Sequence, residues 1–184
     1  MPEHLVLVAC AAPLAARVHE VAARAVEAGW IVRVVTTPSA RTWVDADRVE
    51  KVTGCAVLVE QRQPGQAKRF PPPAQVIVCP ATFNTVNKLA AGIMDNYATG
   101  VLCEALAART SIIIAPMVST RLWPHPVWRR NLDTLAAAGV RFIDIQTGHA
   151  GQPAAVQSGT GGDTVAAFDP AWVVTPLGSP AQKS

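Results

Sequence analysis

Three side chains able to hydrogen-bond a bound molecule, Thr82, Asn84 and Thr85, follow directly on an apolar run that ends at Cys79. The surrounding stretch, Val76 to Gly100, reads VIVCPATFNTVNKLAAGIMDNYATG and takes up helical spacing from Val86 onward. It therefore reads as a strand, a tight turn and a helix start. In an open α/β sheet, ligands bind where turns leave the carboxyl ends of strands, because backbone N–H groups of the next helix face outward there. The small residues of Pro80-Ala81 would let a planar ligand approach the backbone, while the hydroxyls and amide supply polar contacts. The structural alternative is that Pro80 ends a strand and Thr82 or Asn84 caps a helix.

A second cluster of hydroxyls, Thr36-Thr37-Pro38-Ser39-Ala40, leaves another apolar run at Val35. Such a turn holds a phosphate or serves as a helix cap. The first run ends in Ala11-Ala12-Pro13, again small residues, leaving room for a ligand between the turns. Gly159-Thr160-Gly161-Gly162-Asp163 looks like a phosphate loop, but no strand precedes it and no Lys-Ser/Thr follows, so a nucleotide P-loop is rejected. Cys10, Cys55, Cys79 and Cys103 form no Cys-x-x-Cys pair and read as free thiols; no metal site is expected.

The elements that must position these residues alternate. His4–Cys10 is a buried strand, and Pro13 suits the first turn of a helix whose Leu14, Val18, Val21, Ala22 and Ala25 share one face before Gly29. Ile31–Val35 is a second strand, a helix is predicted over about Arg41–Thr53, and Val57–Val59 is predicted as a third strand. Gln61–Pro73, with Pro64-Gly65 and three prolines from Pro71, admits no helix. After Val76–Cys79 comes a long helical region to Arg109 with weak points at Gly92 and Gly100. Strand Ile112–Ala115, helix Val127–Ala138 and strand Val140–Ile143 complete a doubly wound parallel sheet. Residues 1–145 form the expected α/β domain. Residues 146–184, with six of the twelve glycines and Lys183 as the only Lys or Arg, are expected to be a flap and a disordered or docking tail.

Pro80-Ala81-Thr82-Phe83-Asn84-Thr85 resembles the Pro-Ala-Ser-Ala-Asn-Thr motif of the homo-oligomeric flavin-containing cysteine decarboxylases, and Ala91-Gly92-Ile93-Met94-Asp95-Asn96 continues that family's pattern. This superfamily includes phosphopantothenoylcysteine decarboxylase and the peptidyl-cysteine decarboxylases that make aminovinyl-cysteine. Their second motif, Pro-x-Met-Asn-x-x-Met-Trp, is similar to Pro116-Met117-Val118-Ser119-Thr120-Arg121-Leu122-Trp123. The resemblance extends from the first strand to about Ile143, including Asn131-Leu132 and Gly139. It implies a Rossmann-like flavoprotein fold with FMN at the strand ends. Thr36, Thr37 and Ser39 would lie near the phosphate, Ala11, Ala12 and Pro13 beside it, and Pro80, Ala81, Thr82, Phe83, Asn84 and Thr85 along the ring. Asn84 would contact both flavin and substrate, and Val118, Ser119, Arg121, Leu122 and Trp123 would line the substrate. Family members are trimers, or dodecamers built from trimers, with flavin at a subunit interface.

This chain departs from the pattern in three places. The family's catalytic His falls within Gln66–Pro73, which contains no His; His125, just past Trp123, is the nearest candidate base, with an ordinary surface His as the alternative. Ser119 stands in place of Asn, with shorter reach and one donor, and Arg121 is a candidate compensating cation. No Cys follows Cys103, whereas in phosphopantothenoylcysteine decarboxylase a late Cys helps reduce the enethiol intermediate. The resemblance thus points to oxidative decarboxylation of a peptide's C-terminal Cys that stops at the enethiol, with Gly148–Asp163 folding over the peptide. Two alternatives stand beside it: a flavin-binding partner without decarboxylase activity, and another flavin redox or prenyl-transfer enzyme.

Composition bounds these readings. Half of the 184 residues are hydrophobic, 16% are charged and the net charge is +3 with basic residues scattered. That suits one aliphatic core and argues against nucleic acid as a partner. The start Met-Pro-Glu-His lacks signal-peptide features and Leu5–Val8 is too short to span a bilayer, so a cytoplasmic protein with no membrane partner is expected.

Overall fold

The computed structural model describes residues 3–67, 69–178 and 180. Five parallel strands form its sheet: β1 (His4–Ala9), β2 (Ile31–Thr36), β3 (Gln75–Ala81), β4 (Ser111–Pro116) and β5 (Arg141–Phe142). Their spatial order is β2-β1-β3-β4-β5. This is a doubly wound arrangement whose order reverses between β1 and β3, so a crevice opens beyond the carboxyl ends of those two strands. The central strands are β-branched and aliphatic because helices cover both faces: Leu5 to Ala9, Val76 to Val78 and Ile112 to Ala115 are all buried.

One face is packed by α1 (Val18–Glu27) and α2 (Ala46–Thr53), the other by α3 (Phe83–Ala91), α4 (Tyr97–Ala107) and α5 (Pro126–Ala137). Val18, Val21, Ala22 and Ala25 of α1 lie buried on its sheet-facing stripe, and Leu14 is buried in the 3-10 turn Pro13–Arg17 before it. Among the described residues no helix is long and apolar enough to cross a membrane.

Three predicted elements differ. Val57–Val59 is not a strand: Leu58 alone bridges Val35, bonding to Thr36 N and Val34 O at 2.8 and 2.9 Å. A three-residue run held by one half-buried residue cannot sustain a ladder, so the sheet ends at β2. The helix expected from Arg41 begins only at Ala46, because the Asp45 carboxylate accepts the Arg48 N–H at 3.1 Å and fixes the start there. The long helix to Arg109 is two helices. Gly92 terminates α3 at φ +70°, and Asn96 starts α4 with a reciprocal capping box to Thr99.

Beyond β5 the chain packs on the same core. Asp144, 5% exposed, turns the Gly-rich segment by accepting Gln146 N (2.9 Å), Thr147 N (3.0 Å), Thr147 Oγ1 (3.1 Å) and Ala154 N (2.6 Å). Val156 then forms a bridge beside Ser119. Helices α6 (Gly161–Ala167) and α7 (Ala171–Val174) follow, and Phe168, Val173, Val174 and Leu177 join the cluster built from β1, β2 and α1. Each such burial contributes about 1.5–3 kcal/mol, which makes this segment part of the core. The sequence reading of Ala181–Ser184 as tail lies outside the described residues.

Candidate functional site at the carboxyl edge

The turns at β1, β2, β3 and β4 meet at one edge. Backbone bonds stitch them beyond the ladders: Thr37 N to Ala9 O (3.1 Å), Cys10 N to Pro80 O (3.0 Å) and Met117 N to Ala81 O (2.8 Å). The three small-residue turns and the Pro116–Trp123 segment therefore share a wall. The register shifts between Val78 and Ala81, and the Cys79–Pro80 peptide is cis.

The β3–α3 turn is braced from inside. Thr82 caps α3, its hydroxyl accepting Thr85 N at 3.4 Å and donating to Thr85 Oγ1 at 3.2 Å. Cys10 donates its thiol to the same Thr85 oxygen at 3.3 Å. Burial pushes the Cys10 thiol's pKa up despite that hydrogen bond, and burial does the same to Cys79, so both stay protonated. Thr85, 3% exposed, is thus an internal brace, and Asn84 is the exposed polar side chain of the turn.

Other expected contacts sort by exposure. Ala12 and Ala81 are buried and offer only backbone, while Ala11 is partly open and Pro13 exposed. At β2's end Thr36 and Thr37 are buried and Ser39 is exposed; Thr36 Oγ1 is a buried oxygen with no hydrogen-bond partner among the described residues. Ser119, Arg121, Leu122 and Trp123 reach the surface to different degrees, but Val118 is 2% exposed. The Val118 side chain packs in a core cluster, so what it offers a ligand is backbone.

His125, the candidate base, is exposed and forms the N-cap of α5, its Nδ1 accepting the Val127 N–H at 3.3 Å. With Nδ1 accepting, Nε2 carries the proton of the neutral ring. Its ring meets Phe83 edge-on at 5.3 Å; Phe83 stacks on Trp128 at 5.3 Å, and Trp123 meets Trp128 at 5.4 Å. Phe83 is therefore committed to an aromatic cluster behind the wall. The Gln61–Pro73 loop borders a cavity of about 690 Å³ with Arg69 5.7 Å over the Tyr97 ring, and no His lines it.

Three residues escaped the sequence reading. Asp144 carries a local signal, since Asp followed by Ile-Gln-Thr-Gly favours a side-chain-closed turn. Arg17 gives none: it bonds Val165 O and, at 3.1 Å, Phe168 O, far along the chain. Met117, partly buried, lies beside Pro13 and Gly161 at the centre of the edge.

A sheet of order 2-1-3-4-5 with polar turns on its carboxyl edge defines a class of mononucleotide-binding α/β proteins. Within it, the chain belongs to the Flavoprotein family, whose profile matches residues 1–167. It is 44% identical over 69 residues to the coenzyme A biosynthesis bifunctional protein CoaBC of Thermococcus kodakarensis, covering 38% of this chain and 17% of that protein. The chain spans less than a fifth of the length of the first curated relatives it matches. The crystal structure of the FMN-dependent cysteine decarboxylase SpaF is similar at a TM-score of 0.63 and 28% identity, over 77% of this chain and 83% of that one. A cysteine-to-serine mutant of PPC decarboxylase shares the fold at a TM-score of 0.70 and 18% identity, over 96% of each chain.

Proposed function

We propose that this protein holds FMN at the carboxyl edge and oxidatively decarboxylates the C-terminal Cys of a peptide, releasing CO2 and leaving an enethiol. One observation carries the reading: the Met117–Ala81 hydrogen bond of 2.8 Å joins the β3–α3 turn to the Pro116–Trp123 segment, so exposed Asn84 and Arg121 and half-buried Ser119 belong to one wall. The residues present fit the flavin. Small residues at the ends of β1 and β3 leave the backbone approachable, and the orphaned Thr36 hydroxyl, Thr37 and exposed Ser39 suit a phosphate.

Bound FMN would supply the redox chemistry, accepting two electrons as the Cβ–S unit loses two hydrogens and becomes a thioaldehyde. The protein's part is placement. Asn84 would orient substrate against the wall, and Ser119 with Arg121 would hold the carboxylate β to the C=S until CO2 leaves and its electron pair forms the enethiolate. With no Cys after Cys103 to assist reduction of that product, the chain favours the peptide reaction over the coenzyme A one. Ile93, Met94 and Leu122, each about half exposed, are apolar surface that a trimer, or a dodecamer of trimers, would cover.

The lack of His in Gln66–Pro73 and the engaged Nδ1 of His125 favour one other reading, a flavin-binding partner without decarboxylase activity. Purified protein that carries FMN and converts Cys-terminated peptides with loss of CO2 and two hydrogens supports the enzyme. Peptides of unchanged mass across a broad panel, with FMN bound, support the partner.

A further inference from the structure

We propose that the groove between the Gln61–Pro73 loop and α4 receives an acidic stretch of the peptide substrate, N-terminal to its terminal Cys, and that Arg62 and Arg69 select it; this rests on the peptide reading above. One wall is a stripe of α4, with Tyr97, Val101, Glu104, Ala105 and Ala108 spaced to share a helix face. From Tyr97 to Ala108 the helix rises about 17 Å, the length of about five residues of extended chain. The facing wall holds Phe70 and three prolines, Pro71, Pro72 and Pro73, whose rings fix the backbone and which bring no N–H groups. Such a wall loses little freedom when a chain is laid against it, and it leaves donation to side chains.

The groove begins beside the carboxyl edge. Leu58 N donates to Val34 O at 2.9 Å and Thr36 N to Leu58 O at 2.8 Å, at the end of β2. Gln61, three residues on, lies against the first turns of α4, where a Cβ added at Gly100 would stand 3.7 Å from its amide nitrogen. At the opposite edge Pro73 and Thr110 line the groove, and Ala74 N donates to His4 O at 2.9 Å. A peptide with its terminal Cys at the strand ends thus has a track for the residues before it.

Charge decides what the track holds. Arg62 and Arg69 both line it, and among the described residues neither forms an ion pair. Each is held instead by a backbone carbonyl: Arg62 Nη1 donates to Gln66 O and Arg69 Nη1 to Glu60 O, both at 2.6 Å. Arg69 also lies 5.7 Å over the Tyr97 ring, whose face attracts a cation. These contacts position the guanidiniums without neutralising them, and their remaining N–H groups match the geometry of carboxylates. Glu104 is the single acidic residue among the described lining, so the groove carries a net positive charge.

Binding is read by fluorescence anisotropy of a short labelled peptide that ends in Ser in place of Cys and carries either two Asp or two Asn residues, so that no turnover intervenes. The acidic form is expected to bind the full chain about tenfold more tightly, the scale of two exposed ion pairs, and the difference shrinks as ionic strength rises. The double variant Arg62→Glu/Arg69→Glu reverses the preference. For an acidic Cys-terminated peptide it raises KM about tenfold with a much smaller change in kcat, as expected of residues that hold substrate away from the reacting atoms. Equal affinity of the parent for both forms, or an acidic preference that persists in the double variant, overturns the proposal. So does a double variant that loses its oligomeric state with peptide affinity unchanged, which assigns the groove to a second copy of the chain. Acidic preference in the parent with no loss of CO2 from any Cys-terminated peptide leaves the groove standing and overturns the decarboxylase reading.

Discussion

The turn after β3 and the segment after β5 are both built from small and hydroxyl residues, yet they are held in different ways. In the β3–α3 turn the brace is mostly local: Thr82 caps Thr85 three residues on, and Cys10 from the neighbouring strand completes it. After β5 the organising groups are two charged side chains acting on backbone. The Asp144 carboxylate gathers four donors, and Arg17 reaches two carbonyls about 150 positions away. A turn that caps itself can serve as a fixed wall, whereas the later segment takes its shape from groups far away in the chain and from its burial on the core.

The largest effect falls on Asp144. Asp144→Ala leaves three backbone N–H groups and a hydroxyl without their acceptor, so unfolding free energy should drop by on the order of 3–4 kcal/mol, read from urea denaturation. A loss under about 1 kcal/mol would mean that water replaces the carboxylate and that the comparison overstates its role. Gly148→Ala comes next. The residue sits at φ +74°, and a Cβ would stand 2.5 Å from the Trp172 indole, so the ring must move and about 2 kcal/mol should be lost, with a change in Trp fluorescence.

Thr85→Val removes the acceptor shared by Cys10 and Thr82 while keeping the shape. It should cost about 1 kcal/mol and weaken FMN binding, because the wall loosens without losing an exposed group. His125→Ala should cost about 1 kcal/mol as a lost cap. Peptide turnover should fall by less than tenfold, against the roughly 10²–10⁴ expected of a general base.

The smallest effect is the acid sensitivity of the Arg17–Glu20 pair. The Arg17 hydrogen bond holds Glu20 below the usual carboxylate range. Its stabilisation is therefore complete at pH above the unfolded-state value and fades as pH falls through the lowered folded value. Glu20 is 37% exposed, so solvent screening keeps this contribution small. Stability of the parent in urea denaturation should fall slightly with acid in that window, and Glu20→Gln should flatten the dependence.

What the sequence showed follows the same division. The strands were legible because central parallel strands are continuous aliphatic runs, and Pro13, Thr82 and Gly29 punctuate helices by local rules. Val57–Val59 misled because a short apolar run has the same pattern whether it forms a ladder or makes one bridge at an edge. The break between α3 and α4 was signalled by Gly92 but needed the Asn96–Thr99 capping box to become two helices. That the Val118 side chain is buried was not legible, because motif position says nothing of which way a side chain points. Nor was the capping of α5 by His125 Nδ1, since His is not a usual N-cap residue. Arg17 and the Phe168 anchor had no local signal, since their partners lie at the other end of the chain.

The central claim is that the carboxyl edge is an FMN site built for decarboxylating a terminal Cys. Its most direct test is mass spectrometry of Cys-terminated peptides incubated with the FMN-loaded protein and, in parallel, with its Asn84→Ala variant. The account predicts products lighter by CO2 and two hydrogens with the parent, and at least tenfold less with Asn84→Ala while FMN remains bound, the scale expected when a positioning group is lost. Full conversion by the Asn84→Ala variant, or a parent that binds FMN and leaves every peptide's mass unchanged, would contradict it.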